Sequence, residues 1–248
     1  MPLFDGLIES DELERLLGEN CIMELNAEFT QRAVVHAADM PWQPSPISGV
    51  ERRMLDRVGD EVARATTIVR YAPGSQFSPH THGGGEEFLV LEGVFQDEHG
   101  DYPVGTYVRN PPTSRHTPGS QPGCVILVKL WQFKRDDRTQ LVVETAHQEF
   151  TPLPGLSDVT VLPLFQDDVE EVRLEKWAPA TRIDRPVTHG LEIFVTAGSF
   201  HVGDELFCIN SWLRLPPNSR LQAVAGAAGA QVWLKQGHLS HVTVPTLP

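Results

Sequence analysis

Four side chains in the first half of the chain have the types and spacing to hold a metal ion. His80 and His82 lie two apart, Glu86 follows beyond Gly83-Gly84-Gly85, and His116 comes thirty residues after Glu86. On a strand, residues i and i+2 project from one face, so both imidazoles of the His-x-His pair can reach one ion. Three imidazoles and a carboxylate suit Zn2+, Fe2+, Mn2+, Ni2+ or Cu2+, whereas calcium takes an all-oxygen shell. A His-x-His pair alone is common on surfaces, and the wider spacing is what points to a site. Other residues nearby carry weaker signals. Glu87 alternates away from Glu86 and is expected at solvent or at an interface. Cys124, followed by Val125, Ile126 and Leu127, reads as an inert buried thiol. Tyr71, Phe77, Phe88 and Trp131 are pocket candidates whose default is core packing. Arg109 and Arg115 read as partners of surface carboxylates.

The elements that must position these residues are short and β-rich. RATTIVRYAP, EEFLVLEGVF, GTYVRNPP and CVILVKLWQF are separated by Gly, Pro and Asp turns, the pattern of an all-β sandwich or barrel. One helix precedes them. Ser10 is a suitable N-cap, Leu13, Leu16 and Leu17 form an apolar stripe, and Gly18 ends it. The chain also repeats itself. PHTHGGGEEFLVLEGVF (Pro79–Phe95) matches PVTHGLEIFVTAGSF (Pro186–Phe200) when two residues are dropped from the glycine run. VRNPPTSR matches LRLPPNSR, and Lys129 falls on Lys235. Two copies of one β-domain are therefore expected, joined near His147–Gly155. Residues 1–30 form a helical lead-in, 31–146 the metal-binding domain and 147–248 a second domain. In this alignment Val187, Leu191 and Leu221 replace His80, Glu86 and His116, and only His82 keeps a counterpart, His189. The second domain is expected to be metal-free, with an apolar pocket.

The full run reads Gly74-x5-His80-x-His82-x3-Glu86-x6-Gly93, then Gly105-x5-Pro111-x4-His116. It resembles the two cupin motifs, with Thr113 where that pattern has Gly and Ser120 where it has Asn. The resemblance implies two tandem cupin barrels (RmlC-like jelly rolls, or double-stranded β-helices). His80, His82, Glu86 and His116 would be ligands inside the first. GGGEEFLVLEGVFQDEHGDYPVGTYVRNPPTSRHTP and GCVILVKLWQF are more specific, and resemble the cupin portion of ChrR-type anti-sigma factors over roughly residues 40–135. That family implies a zinc-loaded cupin used in stress sensing, joined to an N-terminal helical zinc domain that grips a sigma factor. Residues 1–40 offer only Cys21 and His36, without ligand spacing, so the sigma-binding half is not recognisable.

Three function classes follow. One is a metal-binding bicupin with a sensory, transcription-regulatory role, partnered by a sigma factor or another regulatory protein. The alternative is a non-haem Fe(II) dioxygenase cleaving a small diketone or aromatic ketone. In the third, the metal only stabilises a binding module. The expected cofactor is one divalent ion per chain, zinc first, Fe(II) next, then Mn or Ni. Composition limits the rest. Twenty Lys and Arg against 33 Asp and Glu give a net charge of −13, which argues against nucleic-acid partners. Three distant cysteines without a CxxC pair argue against a disulfide framework. No basic leader with an apolar run and no membrane-length apolar stretch is present, so a cytoplasmic location is expected. The family's two-fold pairing implies a homodimer or an internal pseudo-dimer.

Overall fold

Alternating apolar residues fold into long antiparallel strands, described over residues 22–245 in a computed structural model. The helix expected over Ser10–Gly18, and Cys21, lie outside the described residues. The principal strands of the first half are β1 (Ala33–His36), β2 (Val50–Val58), β3 (Arg64–Tyr71), β4 (His80–Thr81), β5 (Glu86–Asp97), β6 (Thr106–Asn110), β7 (Arg115–His116), β8 (Cys124–Leu130) and β9 (Leu141–Glu144). Those of the second half are β10 (Leu156–Gln166), β11 (Glu171–Trp177), β12 (Arg182–Val187), β13 (Leu191–Val202), β14 (Ser211–Leu215) and β15 (Ser219–Gln236). One sheet runs β2-β3-β8-β5-β6-β9 and the other β10-β11-β15-β13-β14-β1, so each half builds the same antiparallel barrel.

The outermost strand of each sheet comes from the lead-in of the other barrel. Strand β1 pairs with β14, Val35 opposite Trp212, and β9 pairs with β6, Val143 opposite Tyr107. The two segments resemble each other, Val34-Val35-His36-Ala37-Ala38 beside Val142-Val143-Glu144-Thr145-Ala146. Residues 33–36 thus belong by sequence to the first domain but complete the second sheet. The physical reason is that β6 and β14 would otherwise present open edges.

Three apolar clusters fill the molecule. Val50, Tyr71, Phe88, Phe95, Ile126 and Val128 pack inside the first barrel, and Trp177, Ile193, Phe200, Phe207 and Leu213 inside the second. The third lies between the barrels, where Ile68, Leu89, Tyr107 and Leu127 meet Leu174, Phe194, Trp212 and Trp233. Alternation explains this: residues facing out of a barrel are apolar where they meet the other barrel.

Charges are buried in that interface in matched pairs. Lys129 donates to Glu192 at 2.6 Å, and its counterpart Lys235 donates to Glu87. Tyr107 donates to Glu87 at 2.6 Å, and Trp212, at the equivalent place, to Glu192 at 3.1 Å. Arg109 bonds Glu170 and Asp137, while Arg214 bonds Asp56. Glu87 therefore lies at the interface, one of the two places the sequence allowed. Arg109, read from sequence as a surface residue, is 1% exposed. Burial pushes the Glu87 carboxyl up, but Lys235 and Arg109 outweigh it and hold the group below its ordinary value. Glu192 is held down likewise against burial, by Lys129 and His238.

Strand register also corrects the internal alignment. His80 pairs with His116 and the His82 N–H donates to Ser114 O; in the second barrel Arg185 pairs with Leu221 and Val187 with Ser219. Gly85 and Gly190 share a positive φ, +79° and +86°. The repeat therefore runs without a gap, and His80, His82, Glu86 and His116 correspond to Arg185, Val187, Leu191 and Leu221. His189 takes the place of Gly84 and is exposed against Ser240. The second barrel keeps none of the four residues. Its interior there is not wholly apolar, because Arg185 forms a two-pronged contact with buried Glu175 at 2.8 and 3.0 Å.

Candidate metal centre

The four sequence-predicted residues converge at one end of the first barrel. His80 and His82 stand at β4, Glu86 opens β5, and His116 ends β7 directly opposite His80. One ligand atom from each lies within 4.8 Å of all the others. The three imidazole rings are 4.7–5.0 Å apart, centre to centre. His82, Glu86 and His116 are buried and His80 is partly exposed.

The glycine run before Glu86 is a packing device. A Cβ on Gly83 or Gly84 would strike the ring of Trp131, and one on Gly85 would strike Phe133. The absence of side chains lets Trp131 lie across the loop carrying His82. Thr113 adopts φ +76°, as its counterpart Asn218 does at +61°. This explains why glycine is the residue expected there. Its N–H donates to His82 O at 2.8 Å and so fixes that loop.

Outer hydrogen bonds set the tautomer of each imidazole. His80 Nδ1 lies 3.3 Å from Ser78 O, which can only accept. Ser114 Oγ gives its proton to Pro111 O at 2.6 Å, so it accepts from His82 Nδ1 at 2.9 Å. His116 Nδ1 faces the Asp97 carboxylate at 3.1 Å. Each ring thus carries its proton on Nδ1 and turns the Nε2 lone pair inward, the arrangement that outer partners impose on metal-binding histidines. Glu86 Oε2 accepts from Asn110 Nδ2 at 3.1 Å and lies 3.3 and 3.5 Å from the Nε2 atoms of His82 and His116. Both Nε2 atoms are buried without a hydrogen-bond partner. Inward lone pairs facing a carboxylate repel one another unless a cation lies among them, so the residues fit a divalent metal ion. Burial lowers the pKa of His82. For His116 burial also acts downward, but the Asp97 hydrogen bond and the charges of Glu86, Asp97 and Glu98 outweigh it and raise the value.

The site opens into a cavity of about 310 Å³, with Tyr71, Phe77, His80 and Trp131 among its walls. Phe88 packs against Phe95 in the core, 4.5 Å between centroids, and does not line it. Burial pushes the Cys124 thiol up to about 11, consistent with an inert thiol. Cys208, by contrast, is exposed. Arg115 is exposed. Sequence reasoning missed Asp97, Ser114 and Asn110, whose types are ordinary and whose distance from the ligands in the chain carries no signal. Asp97→Asn is expected to weaken metal binding by about 10- to 100-fold without unfolding the barrel. Competition against a chromophoric zinc chelator reads this directly.

Residues 30–134 match the family model described as the ChrR cupin-like domain. No curated protein matches the chain. Among solved structures, a candidate dioxygenase from Nostoc punctiforme is 15% identical, with TM-score 0.67 over 88% of this chain and 87% of that one. A cupin 2 conserved barrel domain protein from Leptotrichia buccalis is 10% identical, with TM-score 0.52 over 79% and 92%. An oxalate decarboxylase from Lactobacillus farciminis is 9% identical, with TM-score 0.57 over 87% and 88%. At these identities the likeness shows the fold alone, two cupin barrels, and the match to the ChrR cupin-like model falls on the first of them. Among the described residues, no helix is long and apolar enough to cross a membrane.

Proposed function

We propose that the cupin centre binds one divalent transition-metal ion through His80, His82, Glu86 and His116 and presents it to a small molecule for dioxygenase-type chemistry. The observation that carries this reading is the cavity: the ligand cluster lies at the wall of an aromatic-lined recess, whereas a purely structural zinc site is closed. A bound divalent ion supplies Lewis acidity and, as iron, redox chemistry with O2. The chain's own part is positional. Tyr71, Phe77 and Trp131 hold an apolar body and exclude water, while Asp97 and Ser114 keep two of the imidazoles oriented. Zinc is the first expectation for the resident ion in a sensor and Fe(II) in an enzyme.

The ChrR match favours a second reading, a zinc-loaded sensory module acting on a sigma factor or another regulatory protein. Elemental analysis of protein purified without added ions, followed by O2 uptake after Fe(II) reconstitution, separates the two. The enzyme reading expects one ion per chain and turnover of pentane-2,4-dione-type or aryl-ketone substrates that is lost in His80→Ala. Tightly held zinc with no O2 uptake across the panel rejects it in favour of the sensor.

A further inference from the structure

The cavity beside the metal cluster also holds two guanidinium groups that the metal does not explain. Arg52 and Arg57 of β2 line it together with Val50. A register shift between Met54 and Asp56 puts both on that wall. Counting by twos from Val50 reaches Arg52, and the extra residue then turns Arg57 to the same face and Asp56 to the interface, where it meets Arg214. Arg57 is 5% exposed, and only its Nε is engaged, donating to Gly59 O at 2.9 Å. Arg52 Nε is buried without a partner. Among the described residues, no carboxylate lies within 4 Å of either group, and Glu61, the other acid lining the recess besides Glu86, stands exposed. A buried guanidinium left unpaired is unfavourable, and its planar fork matches a carboxylate.

The second barrel provides an internal comparison. Arg52 lies opposite Val69 and Arg57 opposite Ala65; the equivalent places, opposite Glu175 and Glu171, hold Val161 and Gln166. The barrel without the four metal-site residues therefore also lacks both arginines. The third arginine of β2 is employed differently: Arg53 stacks on Trp42 at 4.2 Å.

We propose that Arg57, assisted by Arg52, makes this recess a receptor for a small carboxylate-bearing molecule whose apolar body rests against Tyr71, Phe77 and Trp131. Arg57 Nε, tied to Gly59 O, holds the guanidinium in place, leaving both Nη groups to bind the two carboxylate oxygens. This assignment rests on the metal-site reading for the reaction it would serve, but the anion preference comes from the arginines.

The test compares benzoylformate with its uncharged methyl ester, by calorimetry on the full chain both zinc-loaded and chelator-treated. The acid is expected to bind about 10-fold or more tightly than the ester in both forms, since a charge-assisted bond is worth at least that ratio. In Arg57→Gln, which installs the second barrel's residue, the ratio should fall to within about twofold, while zinc content stays at the unmodified level and Arg57→Lys retains part of the preference. Equal binding of acid and ester by the unmodified protein, binding of neither at millimolar concentration, or an unchanged ratio in Arg57→Gln overturns the proposal. Failure of the metal reading shows separately, as no ion in elemental analysis with the acid-to-ester ratio intact.

Discussion

His116→Ala is expected to leave a folded chain that no longer holds metal. The residue supplies one of three inward Nε2 lone pairs, and its Nδ1 is fixed by Asp97 at 3.1 Å. Removal deletes a ligand outright, where changing Asp97 only disturbs its orientation, so the affinity loss should exceed the roughly 100-fold upper range for outer-partner mutations. The control is His189→Ala. His189 occurs in the motif-like Val187-Thr188-His189 run, but the strand register puts it at the counterpart of Gly84, where it meets Ser240. Elemental analysis should give about one ion per chain for the unmodified protein and for His189→Ala, and none for His116→Ala. Equal loss in both variants would reject the assignment, and two ions per chain would show that the second barrel also binds.

The second large effect concerns stability. Lys235→Met should lower the unfolding free energy by about 3–5 kcal/mol, because it strands buried carboxylates without their cation. Lys235 contacts both Glu87 and Glu170, the latter at 2.9 Å, and is fully buried. The double variant Glu87→Leu with Lys235→Met should recover part of the loss, since a buried pair replaced by apolar groups of similar volume is often near neutral. Urea unfolding midpoints read both; a Lys235→Met midpoint equal to that of the unmodified protein would sink the argument. The pH dependence has a definite sign. Folding holds Glu87 and Glu192 below their ordinary value of 4.5. Their contribution is therefore complete above that value and is lost as pH falls below it towards the folded values.

The convergence of His80, His82, Glu86 and His116 was legible in the sequence because few roles place three imidazoles and a carboxylate in that order at strand spacing. The barrel pair was readable because a repeat leaves matched turns: Gly93 with Gly198, and Pro111-Pro112 with Pro216-Pro217. The gap placed in that repeat was an error of physics as well as alignment. His-x-His looked as though it should fall on Val-x-His, yet the left-handed turn at Gly85 and Gly190 fixes the register one turn later, with no residue dropped. What stayed hidden depends on contacts between distant segments. Nothing local marks Asp97 as the partner of His116, Arg57 as a cavity wall, or Lys129 as the partner of Glu192. Arg109 misled for a related reason. Surface pairing is the usual fate of arginine, and only the arrival of Glu170 from the other barrel makes burial tolerable.

The crossed strands also constrain the order in which the molecule can be made. Residues Ala33–His36 are synthesised well before their hydrogen-bonding edge, Ser211–Leu215, emerges from the ribosome. Glu87 likewise waits 148 residues for Lys235, and the Asn26 carbonyl waits 188 for Arg214. Until then the first barrel is a nascent intermediate with an interface acid lacking its lysine and a lead-in strand lacking its sheet. Closure is thus a late step, slow for a chain of this topology and exposed to mispairing between neighbouring nascent chains. The long strand β15 of the second barrel, which carries Lys235, is the piece that ends that interval.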